Sequence, residues 1–193
     1  MIYTQKIQKA IKFASKTHNH YQQQTRKGKV IPYITHPLAV GIILSQVKAS
    51  QEVIVAGILH DTIEDSSEEK KVTPAMLEER FGKEVKDLVL SVTEEDKNLS
   101  WEERKKQALE HVEEFSENSL LVKSADIVAN LAELVDDYAR HKEKVFEIFN
   151  APKEKVIEHQ LKTIEIIDQK WKENPLREDL LFLAEKLQAI GEV

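Results

Sequence analysis

A chain of 193 residues carries 28 lysines and arginines against 34 aspartates and glutamates, a formal charge of −6, with 41% hydrophobic residues and no cysteine. That length is enough to bury most of the apolar surface in one core, and the composition excludes disordered and collagen-like chains. A net negative charge argues against a non-specific nucleic-acid binder, which needs a basic face. Without cysteine, disulfides, thiolate catalysis, iron–sulfur clusters and Cys-ligated zinc are excluded, and His and carboxylates remain as metal ligands. The Met1–Lys6 segment runs into an amphipathic pattern, and no apolar run reaches the roughly 18–20 residues of a membrane span. The expectation is one domain over 1–193, working in the cytoplasm, with neither membrane nor nucleic acid as partner.

Nearly every long segment carries the helical period, so the fold class predicted is all-α, a single helical bundle of about eight to ten helices. Thr4 is placed to cap a first helix whose face holds Ile7, Ala10, Ile11 and Ala14 and which ends near His18. Asn19 to Tyr33 is polar, contains Gly28 and Pro32, and reads as a loop bearing the basic cluster Arg26-Lys27-Gly28-Lys29. Pro37 suits the first turn of a helix running to about Val47, and Ser50 caps the next. That helix, Gln51 to about Thr62, is apolar on most sides and ends in His60-Asp61. Thr73-Pro74 opens a short helix stopped by Gly82, Val85 to Val92 form another stripe, and Ser100 with Glu103 fits a capping box. Ser119 to about Asp137 reads as a buried helix with polar residues let into it, and breaks near Ala151-Pro152 and Asn174-Pro175 divide the remainder. The charged C-terminal helices are compatible with packing against a second copy.

Ionisable residues on buried helices need a partner or a metal, because burying an unpaired charge costs several kcal/mol. Lys123, Asp126 and Asn130, spaced three and four apart, share one helix face. His60 and Asp61 end another helix, and His36 lies near the start of a third. A set of two His and two Asp suits one first-row divalent cation with open positions, Mn²⁺ or Fe²⁺ rather than a closed structural zinc site. Such an ion polarises phosphate and acidifies water. Glu64 and Asp65 follow within a turn and are candidates for handling protons, though spacing does not assign their separate roles. The other histidines, His18, His20, His111, His141 and His159, read as surface or structural residues.

The order His36, His60-Asp61, Asp126 resembles the H…HD…D pattern of HD-domain metal phosphohydrolases. Arg26-Lys27, Pro32-Tyr33-Ile34-Thr35-His36-Pro37, Leu59-His60-Asp61-Thr62-Ile63-Glu64-Asp65, Phe81-Gly82, Val92-Thr93 and Val122-Lys123-Ser124-Ala125-Asp126 are similar to the hydrolase domain of RelA/SpoT alarmone enzymes, especially the small stand-alone hydrolases. The resemblance covers roughly residues 5–140, with 141–193 read as part of the same domain. It implies one Mn²⁺ on His36, His60, Asp61 and Asp126, catalysis by Glu64 and Asp65, and nucleotide contacts from Arg26, Lys27 and Asn130. It also implies hydrolysis of the 3′-pyrophosphate of (p)ppGpp to GDP or GTP and pyrophosphate. Where the family usually carries basic residues after the last Asp, this chain has Ile127 and Ala132. Those departures keep open another phosphorylated nucleotide, such as NADPH or a nucleoside phosphate, as substrate. A degenerate fold that only binds a nucleotide or a partner helix is the non-enzymatic alternative.

Overall fold

The computed structural model describes residues 3–94 and 99–192; Met1 and Ile2, the start of the first amphipathic stretch, lie outside the described residues. The all-α expectation holds. Nine α-helices are present among the described residues, together with short 3₁₀ and π segments and one isolated bridge between Thr25 and Pro32. The backbone sorts into two compact units, Met1–Glu95 and Asp96–Val193.

In the first unit, α1 (Gln5–Ser15) begins where the Thr4 hydroxyl accepts from the Ile7 amide, and α3 (Gln51–Leu59) begins where Ser50 does the same for Val53. The helix α2 (Thr35–Gln46) starts two residues before Pro37, so His36 sits inside its first turn rather than ahead of it. The helix α4 (Pro74–Phe81) follows the Thr73 cap and stops at Gly82, whose φ of 91° is a conformation that side chains with a Cβ rarely adopt. A fifth helix, α5 (Lys83–Val92), completes the unit. The centre is α3, packed against α1, α2 and α5, with Val55, Ala56 and Leu59 fully buried. Because Val53 and every residue from Val55 to Leu59 are buried, the carboxyl end of α3 is delivered deep into the unit. The first helix departs from expectation at its end. Its α-helical bonding stops at Ser15, and the chain continues as a π-helical turn over Lys16–Tyr21.

In the second unit, α6 (Trp101–Val112) opens with the Ser100–Glu103 capping box, and α7 (Glu117–His141) with Ser116. The helices α8 (Lys153–Lys170) and α9 (Arg177–Gly191) pack on α7 around Leu131, Ile164, Ile167, Leu180 and Leu187. Asn174, buried ahead of α9, donates to the Ser124 hydroxyl at 2.8 Å and accepts from the Leu176 amide at 2.9 Å. This pins the turn before α9 onto α7 two residues from Asp126.

The α2–α3 crossing depends on two glycines. A Cβ built on Gly57 overlaps the buried Leu44 side chain and comes within 3.1 Å of Val40, and one on Gly41 falls 2.7 Å from Ile58. Gly57→Val is expected to lower unfolding free energy by about 1–3 kcal/mol through overpacking, read as a reduced urea midpoint.

Candidate functional site

The site in the first unit is built on the end of α3. His60 and Asp61 leave the helix in a tight turn, held by Thr62, whose amide and hydroxyl both donate to the Leu59 carbonyl, and by the Asp65 amide donating to the Asp61 carbonyl. His60, 5% exposed, bonds through Nδ1 to the Gly57 carbonyl at 2.8 Å. A carbonyl only accepts, so Nδ1 carries a proton, and in the neutral ring Nε2 presents a lone pair. That Nε2 lies 3.0 Å from Asp61 Oδ2, and His36 Nε2, also 5% exposed, lies 3.8 Å from the same oxygen. Two imidazole nitrogens and a carboxylate oxygen thus converge on one point. In the neutral ring that lone pair faces a carboxylate oxygen at 3.0 Å, an arrangement that a cation between the groups relieves. The donor set of two imidazoles and one carboxylate suits a first-row divalent ion, and the Gly57 carbonyl supplies the outer bond that fixes a ligating histidine's tautomer.

The segment Gln24–Tyr33 frames this point. The Tyr33 amide donates to the Gln24 carbonyl, the Arg26 amide to Ile31, and the Lys29 amide to Arg26, closing a tight hairpin at Gly28, φ 73°. The two residues at the hairpin's base reach the turn after α3. Tyr33 donates its hydroxyl to Asp61 Oδ2 at 2.5 Å, and Gln24 donates its amide to Asp65 Oδ2 at 2.8 Å. The Arg26 guanidinium lies over the Tyr33 ring, 5.6 Å from its centre, which holds half-buried Arg26 against the site while Lys27 stands exposed at the tip. Glu64 is half-buried in the same turn.

In the second unit, Asp126 is held on α7 by both neighbours of the polar stripe. Lys123 Nζ lies 2.9 Å from Oδ2, and the Asn130 amide donates to Oδ1 at 2.7 Å. The i, i+3 and i, i+4 spacing read from the sequence therefore forms one network around the Asp126 carboxylate.

Sequence reasoning missed His18, Gln24 and Tyr33 as parts of the site. His18, read as a surface or structural residue, is fully buried, 5.0 Å from the Tyr33 ring centre, with Nδ1 2.8 Å from Gln24 Oε1. Burial holds its pKa below the ordinary histidine value, against the opposing pull of the Gln24 bond and the Asp61 and Asp65 charges. Its position inside a π turn gives no apolar period to betray it, and only the helical continuation from α1 was a signal.

The fold and this centre define an HD-type helical protein. The HD domain pattern matches residues 10–157, and the chain belongs to that family. Among its relatives, the guanosine-3′,5′-bis(diphosphate) 3′-pyrophosphohydrolase MESH1 of Xenopus tropicalis is 38% identical over 130 residues, 66% of this chain and 69% of that one. The mouse enzyme of the same name is 39% identical over 119 residues, 61% of this chain and 64% of that one, so the matched segment spans about two thirds of these relatives. The bifunctional (p)ppGpp synthase/hydrolase SpoT of Escherichia coli is 33% identical over 156 residues, 74% of this chain but 21% of its own. A Listeria monocytogenes protein of solved structure superposes with a TM-score of 0.69 at 31% identity, covering 78% of this chain and 96% of that one. A metazoan SpoT orthologue, described as hydrolysing ppGpp, shares the fold with a TM-score of 0.71 at 24% identity, covering 98% and 95%. No helix among the described residues is long and apolar enough to cross a membrane.

Two outcomes follow from the geometry. Tyr33→Phe removes the hydroxyl that bonds Asp61, and is expected to weaken divalent-metal binding about 10–100-fold, measured by competition with a chelating dye. Because folded His18 resists protonation more than unfolded His18, the unfolded state binds more protons below about pH 6.5. Stability from this residue is present above that value and is lost as pH falls. The urea midpoint in EDTA is expected to drop between about pH 7 and 5, and to drop less in His18→Asn.

Proposed function

We propose that the chain is a metal-dependent hydrolase that removes the 3′-pyrophosphate of (p)ppGpp, giving GDP or GTP and pyrophosphate. The observation that carries this reading is the convergence of His36, His60 and Asp61 on one point, with Asp65 held one turn on. The names of the MESH1 relatives and the run of matching residues from Arg26 to Asp126 support the substrate class. We read His36, His60, Asp61 and Asp126 as the ligands of one Mn²⁺, and 1–193 as one HD-type domain, a reading supported by a family match that runs through both compact units. We further propose that it works in the cytoplasm.

The bound cation supplies Lewis acidity toward the phosphate and the attacking water. The chain's own residues do the rest. Arg26 and Lys27, presented by the hairpin, neutralise and orient the nucleotide, and Asn130 contributes to the same site. Glu64 and Asp65 act as the proton-handling pair, one accepting a proton from the water that attacks the phosphorus, the other serving the ribose 3′-oxygen as its bond to phosphorus breaks. Water adds to phosphorus, the P–O3′ bond opens, and the 3′-oxygen takes up the proton.

A second reading, hydrolysis of another phosphorylated nucleotide such as NADPH, is favoured by one observation. Ile127 is buried in the core of its unit and Ala132 exposes only a methyl group, so neither offers a phosphate a positive charge. Anion-exchange product analysis after Mn²⁺ loading separates the two. The expected result is GDP and pyrophosphate from ppGpp, lost together with bound metal in Asp61→Ala. Glu64→Gln is expected to keep its metal and lose about 10²–10⁴ in turnover. Intact ppGpp beside cleaved NADPH would transfer the assignment to the second reading.

A further inference from the structure

The catalytic turn is braced by two residues that neither bind metal nor touch the nucleotide in the reading above. Gln24 Nε2 donates to Asp65 Oδ2 at 2.8 Å, and Gln24 Oε1 lies 2.8 Å from His18 Nδ1. A carboxylate oxygen accepts, so the amide must turn its NH₂ toward Asp65 and its carbonyl toward His18. The carbonyl in turn accepts only, so the proton of His18 sits on Nδ1. Its Nε2 is then unprotonated, buried, and has no hydrogen-bond partner among the described residues. The orientation of each group is thus dictated by the next, in a line that ends at Asp65. The backbone reinforces it, since the Gln24 amide donates to the His18 carbonyl at 2.9 Å. The imidazole is fixed on its other side by the Tyr33 ring.

We propose that His18 and Gln24 are positioning residues for the reaction, His18 setting the orientation of the Gln24 amide and Gln24 holding the Asp65 carboxylate in its working rotamer. The assignment rests on the reading of Asp65 as a member of the proton-handling pair. The π-helical turn Lys16–Tyr21 has a purpose in this arrangement. It is the segment that turns His18 into the interior while His20 and Tyr21 remain outside, and π turns recur where a helix aims a functional side chain. A neutral His18 with a fixed tautomer is also the form that burial favours, and a donor at Nδ1 is all that the Gln24 carbonyl requires.

The test is a set of steady-state measurements on the Mn²⁺-loaded full chain with ppGpp, with metal content and thermal midpoint determined for each variant. Misplacing a reacting group by about 1 Å costs on the order of 10²-fold. Gln24→Ala and His18→Leu are therefore expected to lower kcat about 10–100-fold, with KM and bound Mn²⁺ unchanged. His18→Asn returns an N–H to the place of Nδ1 and is expected to recover most of the loss. His18→Gln places its amide where Nε2 lies and is expected to behave like His18→Leu. Equal kcat in His18→Asn and His18→Leu, or kcat that follows thermal midpoint rather than donor position, would overturn the proposal. Gln24→Glu, which keeps the volume and replaces the donor by an acceptor, gives the same decision if Gln24→Ala fails to fold. Asp65→Asn separates the two levels of inference. If it is inactive while Gln24→Ala is fully active, positioning fails and the role of Asp65 stands. If Asp65→Asn turns over at the wild-type rate, both fall.

Discussion

An imidazole nitrogen held 3.0 Å from a carboxylate oxygen at the end of a buried helix is the constraint around which the first unit is arranged. Left alone, two electron-rich atoms at that distance repel, and the low-dielectric surroundings amplify the cost. The chain accepts that cost by locking both groups. The Gly57 carbonyl fixes the His60 tautomer, the Tyr33 hydroxyl fixes Asp61, and the Thr62 hydroxyl closes the turn between helix and loop. The α3 helix can carry such a pair because it is packed on several sides and cannot yield. A site of this kind attracts a divalent cation because the protein has already met the cost of gathering the ligands.

The fold was legible wherever the deciding chemistry is local. Thr4, Ser50, Thr73-Pro74 and the Ser100–Glu103 box each satisfy amides within three residues of themselves, so their sequence signatures were enough to place helix starts. Gly82 marks a stop for the same reason, since its positive φ is a property of one residue. The end of α1 was not legible. A change from α to π bonding shifts the hydrogen-bond partner by one residue and leaves the composition of Lys16–Tyr21 unremarkable, so no period reveals it.

The candidate site shows the same division. Polar residues at helical spacing in an apolar helix, such as Lys123, Asp126 and Asn130, declare a shared face by their spacing alone. His18 and Gln24 declare nothing, because Gln24 meets Asp65 across 41 positions of the chain and His18 meets Gln24 and the Tyr33 ring rather than a carboxylate. Tyr33 stood inside the motif that carried the resemblance, yet its bond to Asp61 spans 28 positions. Long-range contacts of single polar atoms leave no periodic trace, and only the folded chain reveals them.

The hairpin bearing Arg26 and Lys27 is rooted in residues that also hold the Asp61 and Asp65 carboxylates. Its tip is the exposed part, with Val30 98% exposed. If Arg26 and Lys27 meet the nucleotide as proposed, retargeting toward a different base or phosphate pattern therefore has a natural boundary. On that proposal the outer residues 27–31 are the stretch to exchange, whereas edits that reach Gln24 or Tyr33 also break the bonds to Asp65 and Asp61.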